Sequence, residues 1–181
     1  MIPRTTVDTL YIYDAEMQRD ADRFLEQAGG SSAAHPVGTI YDITKVVNAY
    51  TMVKLLILDT HGSPGALWVS SGGKALSLEF MKIEVNQNFL RKEARVLFLG
   101  CEIAAGTDGD KFLDAAGRYL LTGKGGIVGG TTVTNFTLGY AIPEASMFSL
   151  TNNAQLKVRR YDASGQRIGS LAVNPRHGFV N

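Results

Sequence analysis

The chain has 181 residues, of which 45 % are hydrophobic and 19 % charged, and its formal net charge is +1. This length and composition predict a single globular domain over residues 1–181 with a buried core. The near-neutral charge and the scattered Lys and Arg residues argue against a nucleic-acid partner, because neutralising phosphates requires clustered positive charge.

Membrane and metal-binding signals are missing from the sequence. No apolar run approaches the roughly 20 residues that cross a bilayer, and no signal-peptide pattern follows Met1. We therefore expect a cytoplasmic protein without a membrane partner. Cys101 is the only cysteine, which excludes an intramolecular disulfide and C-x-x-C zinc motifs. Because Asp108, Asp110 and Asp114 lack EF-hand spacing, we expect neither a metal nor a cofactor.

The first part of the chain alternates strand and helix patterns. Residues 7–13 predict a strand, followed by a helix from Asp14 to about residue 28 that ends at two glycines. Residues 31–36 are predicted to form a polar loop and residues 37–41 a short strand. A second helix is predicted from about Asp42, because apolar residues recur there at helical spacing.

The middle of the chain contains two apolar runs typical of buried strands. The first covers residues 53–58, apolar except for Lys54, and the second covers residues 95–99. Between them we predict a hairpin or meander over residues 66–85 and a short helix over residues 86–93.

The last part begins with a predicted helix over residues 111–121 and a strand over residues 126–131. Residues 155–160 and 167–173 flank a turn sequence and predict a terminal hairpin. Since strands alternate with helices up to residue 131, we predict a three-layer α/β domain with a mostly parallel sheet.

His61 and Cys101 each follow one of the two buried strands, and a glycine adjoins each of them. Carboxyl ends of parallel strands share one rim of a sheet, so both side chains would meet if the strands are neighbours. A thiolate is a nucleophile, and an imidazole lowers the thiol pKa or takes its proton. Gly62 lets backbone approach a substrate closely, and the N–H groups of Gly62 and Cys101 would hold an oxyanion. His35 and His177 lack this setting and are predicted to be surface residues.

The two motifs, LLILDTHG over residues 55–62 and VLFLGC over residues 96–101, resemble those of the caspase-like (clan CD) cysteine peptidases. The stretches HGSPG (61–65) and GCEIAAG (100–106) are closer to a bacterial branch of that group. The resemblance covers about residues 5–135 and leaves 136–181 as a C-terminal extension. It implies a central sheet of order 2-1-3-4-5, helices on both faces and a small β-hairpin.

The resemblance also implies a mechanism and a class of substrate. Cys101 would attack a peptide carbonyl and form a thioester acyl-enzyme, while His61 would protonate the leaving amine. In this family the specificity pocket draws on places that hold Asp14, Leu99 and Thr131-Thr132 here. Apolar Leu99 and the lack of a suitably placed Arg disfavour specificity for Asp. Asp14 would accept a Lys or Arg side chain or, as we prefer, serve as a helix N-cap. A largely apolar specificity pocket is equally open.

Two other functions compete with a peptidase. One is a non-catalytic caspase-like module that binds a partner protein, which Glu102 favours because a neighbouring carboxylate disfavours a thiolate. The other is a small-molecule cysteine hydrolase or acyltransferase that uses the same pair of residues. A nucleotide-binding protein of flavodoxin type is disfavoured, because no glycine-rich phosphate-binding motif follows a strand.

Overall fold

The computed structural model describes residues 4–28, 30–69, 83–133, 156–174 and 178–180. Within them a 3-10 turn (Ala15–Met17) precedes helix α1 (Gln18–Gln27), and helices α2 (Ile40–Ala49) and α3 (Gly106–Leu121) follow. The strands in the described residues are β1 (Thr5–Thr6), β2 (Thr9–Asp14), β3 (Ser32–Val37), β4 (Tyr50–Thr51), β5 (Val53–Asp59), β6 (His61–Ser63), β7 (Ala66–Trp68), β8 (Leu90–Phe98), β9 (Gly126–Thr131), β10 (Leu156–Tyr161), β11 (Arg167–Asn174) and β12 (Gly178–Val180).

A large mixed sheet forms the centre of the molecule, in the order β12-β11-β10-β9-β8-β5-β2-β3. The pairings from β3 through β9 are parallel, and those from β9 to β12 are antiparallel. The five parallel strands therefore follow one another as second, first, third, fourth and fifth in chain order. The order of the whole sheet differs from the expected five strands, because the C-terminal hairpin extends the sheet instead of standing apart from it. The α/β class with a mostly parallel central sheet is confirmed.

Side chains at successive positions of a strand point to opposite faces of the sheet, so its apolar residues form two clusters, one on each face. One face packs Leu56, Leu58 and Phe98 against α2 and α3, through residues such as Ile43 and Phe112. The other face carries its own apolar cluster and packs against α1; this cluster includes Tyr11, Tyr13, Ala21, Phe24, Leu55, Ile57, Leu97 and Leu99. Helices therefore cover both faces, and β5 and β8 lie in the core.

The predicted loop over residues 31–36 is wrong, because β3 occupies Ser32–Val37 and pairs in parallel with β2. Its Ser, Ala, His and Pro residues have weak strand propensity. An edge strand tolerates Pro36 because only one of its sides is bonded within the sheet. Helix α2 then begins at Ile40 through a capping box between Thr39 and Asp42.

The predicted helix over residues 86–93 is also wrong, since β8 starts at Leu90. The Asn86 side chain accepts a hydrogen bond from the Asn88 N–H at 3.1 Å and forms a tight turn. Pairing with β5 then extends the chain from Leu90 onwards. Tertiary pairing has overridden the local helix propensity of residues 90–93.

The predicted strand over residues 126–131 and the hairpin over residues 155–173 are confirmed as β9 and as the β10–β11 pair. The predicted helix over residues 111–121 belongs to the longer α3, and the predicted helix after Asp14 is split into a 3-10 turn and α1. Much of the 66–85 hairpin and His177 lie outside the described residues. In the part of the chain that the structure describes, no helix is long and apolar enough to span a membrane.

Candidate functional site

Strands β5 and β8 are parallel neighbours, as predicted, with Leu58 opposite Phe98 near their carboxyl ends. The Leu99 N–H continues this pairing and donates to the Leu58 carbonyl at 2.8 Å. The chain leaves both strands at one rim of the sheet. His61 and Cys101 follow immediately, so the sheet itself brings the two motifs together.

The two motifs touch through their glycines. A Cβ atom on Gly62 would lie 2.8 Å from the Gly100 carbonyl carbon and 3.0 Å from the Cys101 nitrogen. A Cβ atom on Gly100 would lie 3.1 Å from the Gly62 Cα and the His61 oxygen. These positions need glycine because the backbones of the two loops lie against each other. From the sequence, Gly62 was predicted to allow close approach of a substrate and to donate its N–H to an oxyanion, and its packing against Gly100 was not foreseen.

The loop after Cys101 is held by a network of backbone hydrogen bonds. The Thr131 hydroxyl donates to the Gly100 carbonyl, and the Ala104 N–H donates to the Thr131 carbonyl at 2.9 Å. Glu102 adopts a left-handed φ of 53° inside this tight loop. Cys101 is a free cysteine and is half-buried as a residue, and among the described residues no acceptor takes its N–H.

The His61 side chain is held from two sides. Its Nε2 lies 3.1 Å from Glu16 Oε2, and its ring stacks on Trp68 with centroids 6.1 Å apart and planes 14° apart. Trp68 stands opposite His61 across the β6–β7 hairpin. Since a carboxylate only accepts hydrogen bonds, the contact with Glu16 requires the proton on Nε2. In the neutral ring, Nδ1 is then the nitrogen that can take a proton.

Acidic residues approach His61 from the end of β2. Asp14 is buried, and its side chain accepts a hydrogen bond from the Glu16 N–H at 3.0 Å. This bond caps the 3-10 turn, so the predicted capping role of Asp14 is confirmed. Ligand atoms of Asp14, Glu16 and His61 all lie within 4.8 Å of one another.

A second carboxyl group, that of Asp59, is buried two residues before His61. It accepts a hydrogen bond from the Tyr11 hydroxyl at 2.6 Å. Burial, assisted by the charges of Asp20 and Asp14, raises the pKa of Asp59 to about 7, against the opposing effect of the Tyr11 bond. Asp59 therefore ends β5 with a side chain that titrates near neutral pH.

The predicted specificity residues occupy different depths. Leu99 is 3 % exposed within the core and Thr131 is fully buried. Thr132 is half-buried. The structure brings Asp14 close to His61, while Leu99 and Thr131 lie beneath the rim. Their roles in specificity stay predictions.

Sequence reasoning missed Glu16, Trp68 and Asp59. The Pro64-Gly65 dipeptide is a turn signal, and a hairpin centred on it would have placed Trp68 opposite His61. Glu16 had no such signal, because its distance from His61 depends on the pairing of β2 with β5. His35 was predicted to be a surface loop residue. It is instead half-buried on β3, with its Nε2 2.6 Å from the Tyr50 hydroxyl, and burial lowers its pKa.

Residues 33–122 match a family model described as "Domain of unknown function (DUF4347)". No curated protein and no solved structure gave a significant match. The matched range includes both the His61-Gly62 and the Gly100-Cys101 motifs, and it excludes Glu16 and the C-terminal hairpin. The match carries no function, so the caspase-like interpretation stays a prediction.

Proposed function

We propose that this protein is a cysteine endopeptidase of caspase-like type, with Cys101 as nucleophile and His61 as its proton-transfer partner. One observation carries the proposal: the His61-Gly62 backbone lies against the Gly100-Cys101 backbone at the carboxyl rim of adjacent parallel strands. Catalytic groups in open α/β sheets collect at this rim.

The partial exposure of residue Cys101 supports a chemical role over a purely structural one. A fully buried sulfur would favour the non-catalytic binding module, whereas Cys101 keeps part of its surface accessible. Glu102 was the reason to favour that module. Its left-handed backbone belongs to the tight turn after Cys101, and its N–H donates to the Val133 carbonyl at 3.1 Å.

The proposed reaction has two steps. The Cys101 thiolate attacks the peptide carbonyl carbon, the C–N bond breaks, and imidazolium His61 gives its proton to the departing amine. Water then attacks the thioester, which releases the carboxylic acid and restores the thiol. The Cys101 N–H, which no described residue accepts, and that of Gly62 stabilise the oxyanion in both steps.

Glu16 acts as a positioning residue in this scheme. Its carboxylate holds Nε2 of His61, which leaves Nδ1 to exchange a proton with the thiol and the leaving group. Trp68 stacks on the ring and limits its rotation. A peptide or protein is the proposed substrate. Of the residues predicted to set specificity, Thr132 is half-buried, whereas Leu99 and Thr131 are buried.

The decisive measurement is the rate at which iodoacetamide alkylates Cys101 as a function of pH. We expect fast labelling at pH values below about 8.5, the pKa of an ordinary free thiol. His61→Ala should lose this acceleration, because the thiolate then lacks its imidazolium partner. The matched control is His35→Ala, which removes a histidine on the edge strand β3, two strands away from β5, and should alkylate like the wild type.

Hydrolysis is tested separately with a library of unstructured peptides and mass spectrometry of the products. Cleavage by the wild type that is absent in Cys101→Ser and His61→Ala would support the peptidase. Slow alkylation that is unaffected by His61→Ala would refute the proposed pair. Fast, His61-dependent alkylation without peptide cleavage would point instead to a small-molecule hydrolase or acyltransferase.

A further inference from the structure

Three metal-binding side chains converge beside the proposed catalytic pair. Asp14 and Glu16 come from the end of β2 and the 3-10 turn, and His61 comes from the start of β6. Their ligand atoms lie within 4.8 Å of one another, although 45 residues separate Glu16 from His61. One cation placed among them could contact two carboxylate oxygens and one imidazole nitrogen.

This set of donors matches the preferences of a particular class of ion. Zinc sites with an open position commonly use three protein ligands drawn from His and carboxylates. Calcium and magnesium prefer oxygen ligands throughout. The imidazole nitrogen therefore favours Zn²⁺ or a related transition metal over the hard cations.

The site is partly preorganised. Asp14 is 2 % exposed, and its bond to the Glu16 N–H fixes the turn that carries both carboxylates. Trp68 stacks on the His61 ring, so the imidazole has little freedom to lose on binding. Glu16 remains exposed enough for a metal ion to reach it from solvent.

We infer that Asp14, Glu16 and His61 form a binding site for a divalent transition-metal ion, best matched by Zn²⁺, that switches off the His61–Cys101 pair. The inhibitory part rests on the function proposed above. A metal takes a neutral imidazole, and here it would occupy Nε2, where Glu16 now lies. His61 could then no longer become the imidazolium that protonates the leaving amine. Among the described residues, the Cys101 sulfur is not a member of this cluster, so binding would not need the thiol.

Binding of Zn²⁺ is tested first in the Cys101→Ser variant, which lacks the thiol. We expect Zn²⁺ to bind Cys101→Ser in calorimetry with micromolar or tighter affinity. Adding Glu16→Gln, Asp14→Asn or His61→Ala to that background should weaken binding by at least about tenfold, the lower range for disturbing a metal site. Asn still caps a helix well, so Asp14→Asn should keep its fold, which circular dichroism would verify. Glu26→Gln, an exposed carboxylate on α1, is the matched control and should leave the affinity unchanged.

Tryptophan fluorescence can show whether the ion binds next to His61. Trp68 is the only tryptophan in the chain, so its fluorescence reports directly on the ring next to His61. We expect Zn²⁺ to change this fluorescence in Cys101→Ser over the same concentration range as the calorimetric binding. The Glu16→Gln variant in the same background should require at least about tenfold more Zn²⁺.

Inhibition is measured as the Zn²⁺ concentration that halves the alkylation rate of Cys101. Glu16→Gln should raise that concentration at least about tenfold. Absence of saturable binding to Cys101→Ser, or binding equally tight in Glu16→Gln, would overturn the metal site. Failure of the proposed function would give a different result from failure of the metal site. In that case Zn²⁺ would still bind Cys101→Ser, but alkylation of the wild type would not depend on His61.

Discussion

At the scale of single residues, the site depends on two glycines that have no side chain. Gly62 and Gly100 lack Cβ atoms at the point where their loops touch. Any side chain there would push the His61 loop away from the Cys101 loop. The proposed His61–Cys101 pair therefore relies on two glycines that let the two backbones come into contact.

We expect Gly62→Ala to destabilise the protein by about 1–3 kcal/mol, the typical cost of overpacking, and to slow Cys101 alkylation. The added methyl group would lie 2.8 Å from the Gly100 backbone, which cannot yield as a flexible side chain would. Urea denaturation and alkylation rates check both effects. Gly38→Ala is the matched control, because nothing lies within 4 Å of its added Cβ. Equal stability of the two variants would show that the loops separate at no cost.

At the scale of elements, α3 packs on the sheet through small residues. A Cβ atom on Gly117 would lie 2.2 Å from a ring carbon of Tyr161, and one on Gly109 would lie 2.2 Å from the carbonyl carbon of Ala104. Tyr161 in turn donates its hydroxyl proton to Asp114 at 2.9 Å. Gly109 lets the helix approach the loop after Cys101, and Gly117 lets it approach β10.

Gly117→Ala tests this packing, because Ala in a helix interior normally stabilises by up to about 1 kcal/mol relative to Gly. Here we expect the opposite sign, a loss of about 1–3 kcal/mol from overpacking against Tyr161. The measurement is urea denaturation of a double-mutant cycle with Tyr161→Ala. In the Tyr161→Ala background the added methyl group should cost little or become stabilising. Additive effects of the two substitutions would contradict direct contact.

At the scale of the whole molecule, the central sheet buries a carboxyl group at the site. Asp59 is 6 % exposed, and its pKa of about 7 lies well above the ordinary 3.8. Tyr11 donates to it, while the charges of Asp20 and Asp14 and its burial favour the protonated form. The folded protein therefore keeps a proton that the unfolded chain releases between about pH 4 and 7, and stability should fall as the pH rises through that window.

We expect Asp59→Asn to remove this dependence, because an amide carries no charge and can still accept from Tyr11. The unfolding free energy of wild type minus that of the variant should fall between about pH 5 and 7, by an amount on the order of 1 to 4 kcal/mol. It should change little above that range. Urea denaturation across the pH range in EDTA measures it, and the exposed Asp22→Asn should run parallel to the wild type. A constant difference for Asp59→Asn would contradict a raised pKa.

Features encoded by a short local pattern could be predicted from the sequence, whereas features that depend on strand pairing could not. The apolar runs ending at His61 and Cys101 are local patterns, and so are the turns of the C-terminal hairpin. They were enough to predict the α/β class and the candidate pair, whereas the adjacency of β5 and β8 was implied only by the family resemblance. The weakly patterned edge strand β3 and the start of β8 were misread, because their strand conformation comes from pairing with β2 and β5.

The sequence by itself therefore determined the strand-end pattern and the two candidate catalytic residues that follow it, because burial of a parallel strand leaves a continuous apolar run. Only the tertiary structure decided what surrounds them. Glu16 reaches His61 through the pairing of β2 with β5, and Gly62 meets Gly100 through the pairing of β5 with β8. Such contacts join residues far apart in the chain, and they depend on which strands become neighbours in the sheet, which the pattern within a single strand does not specify.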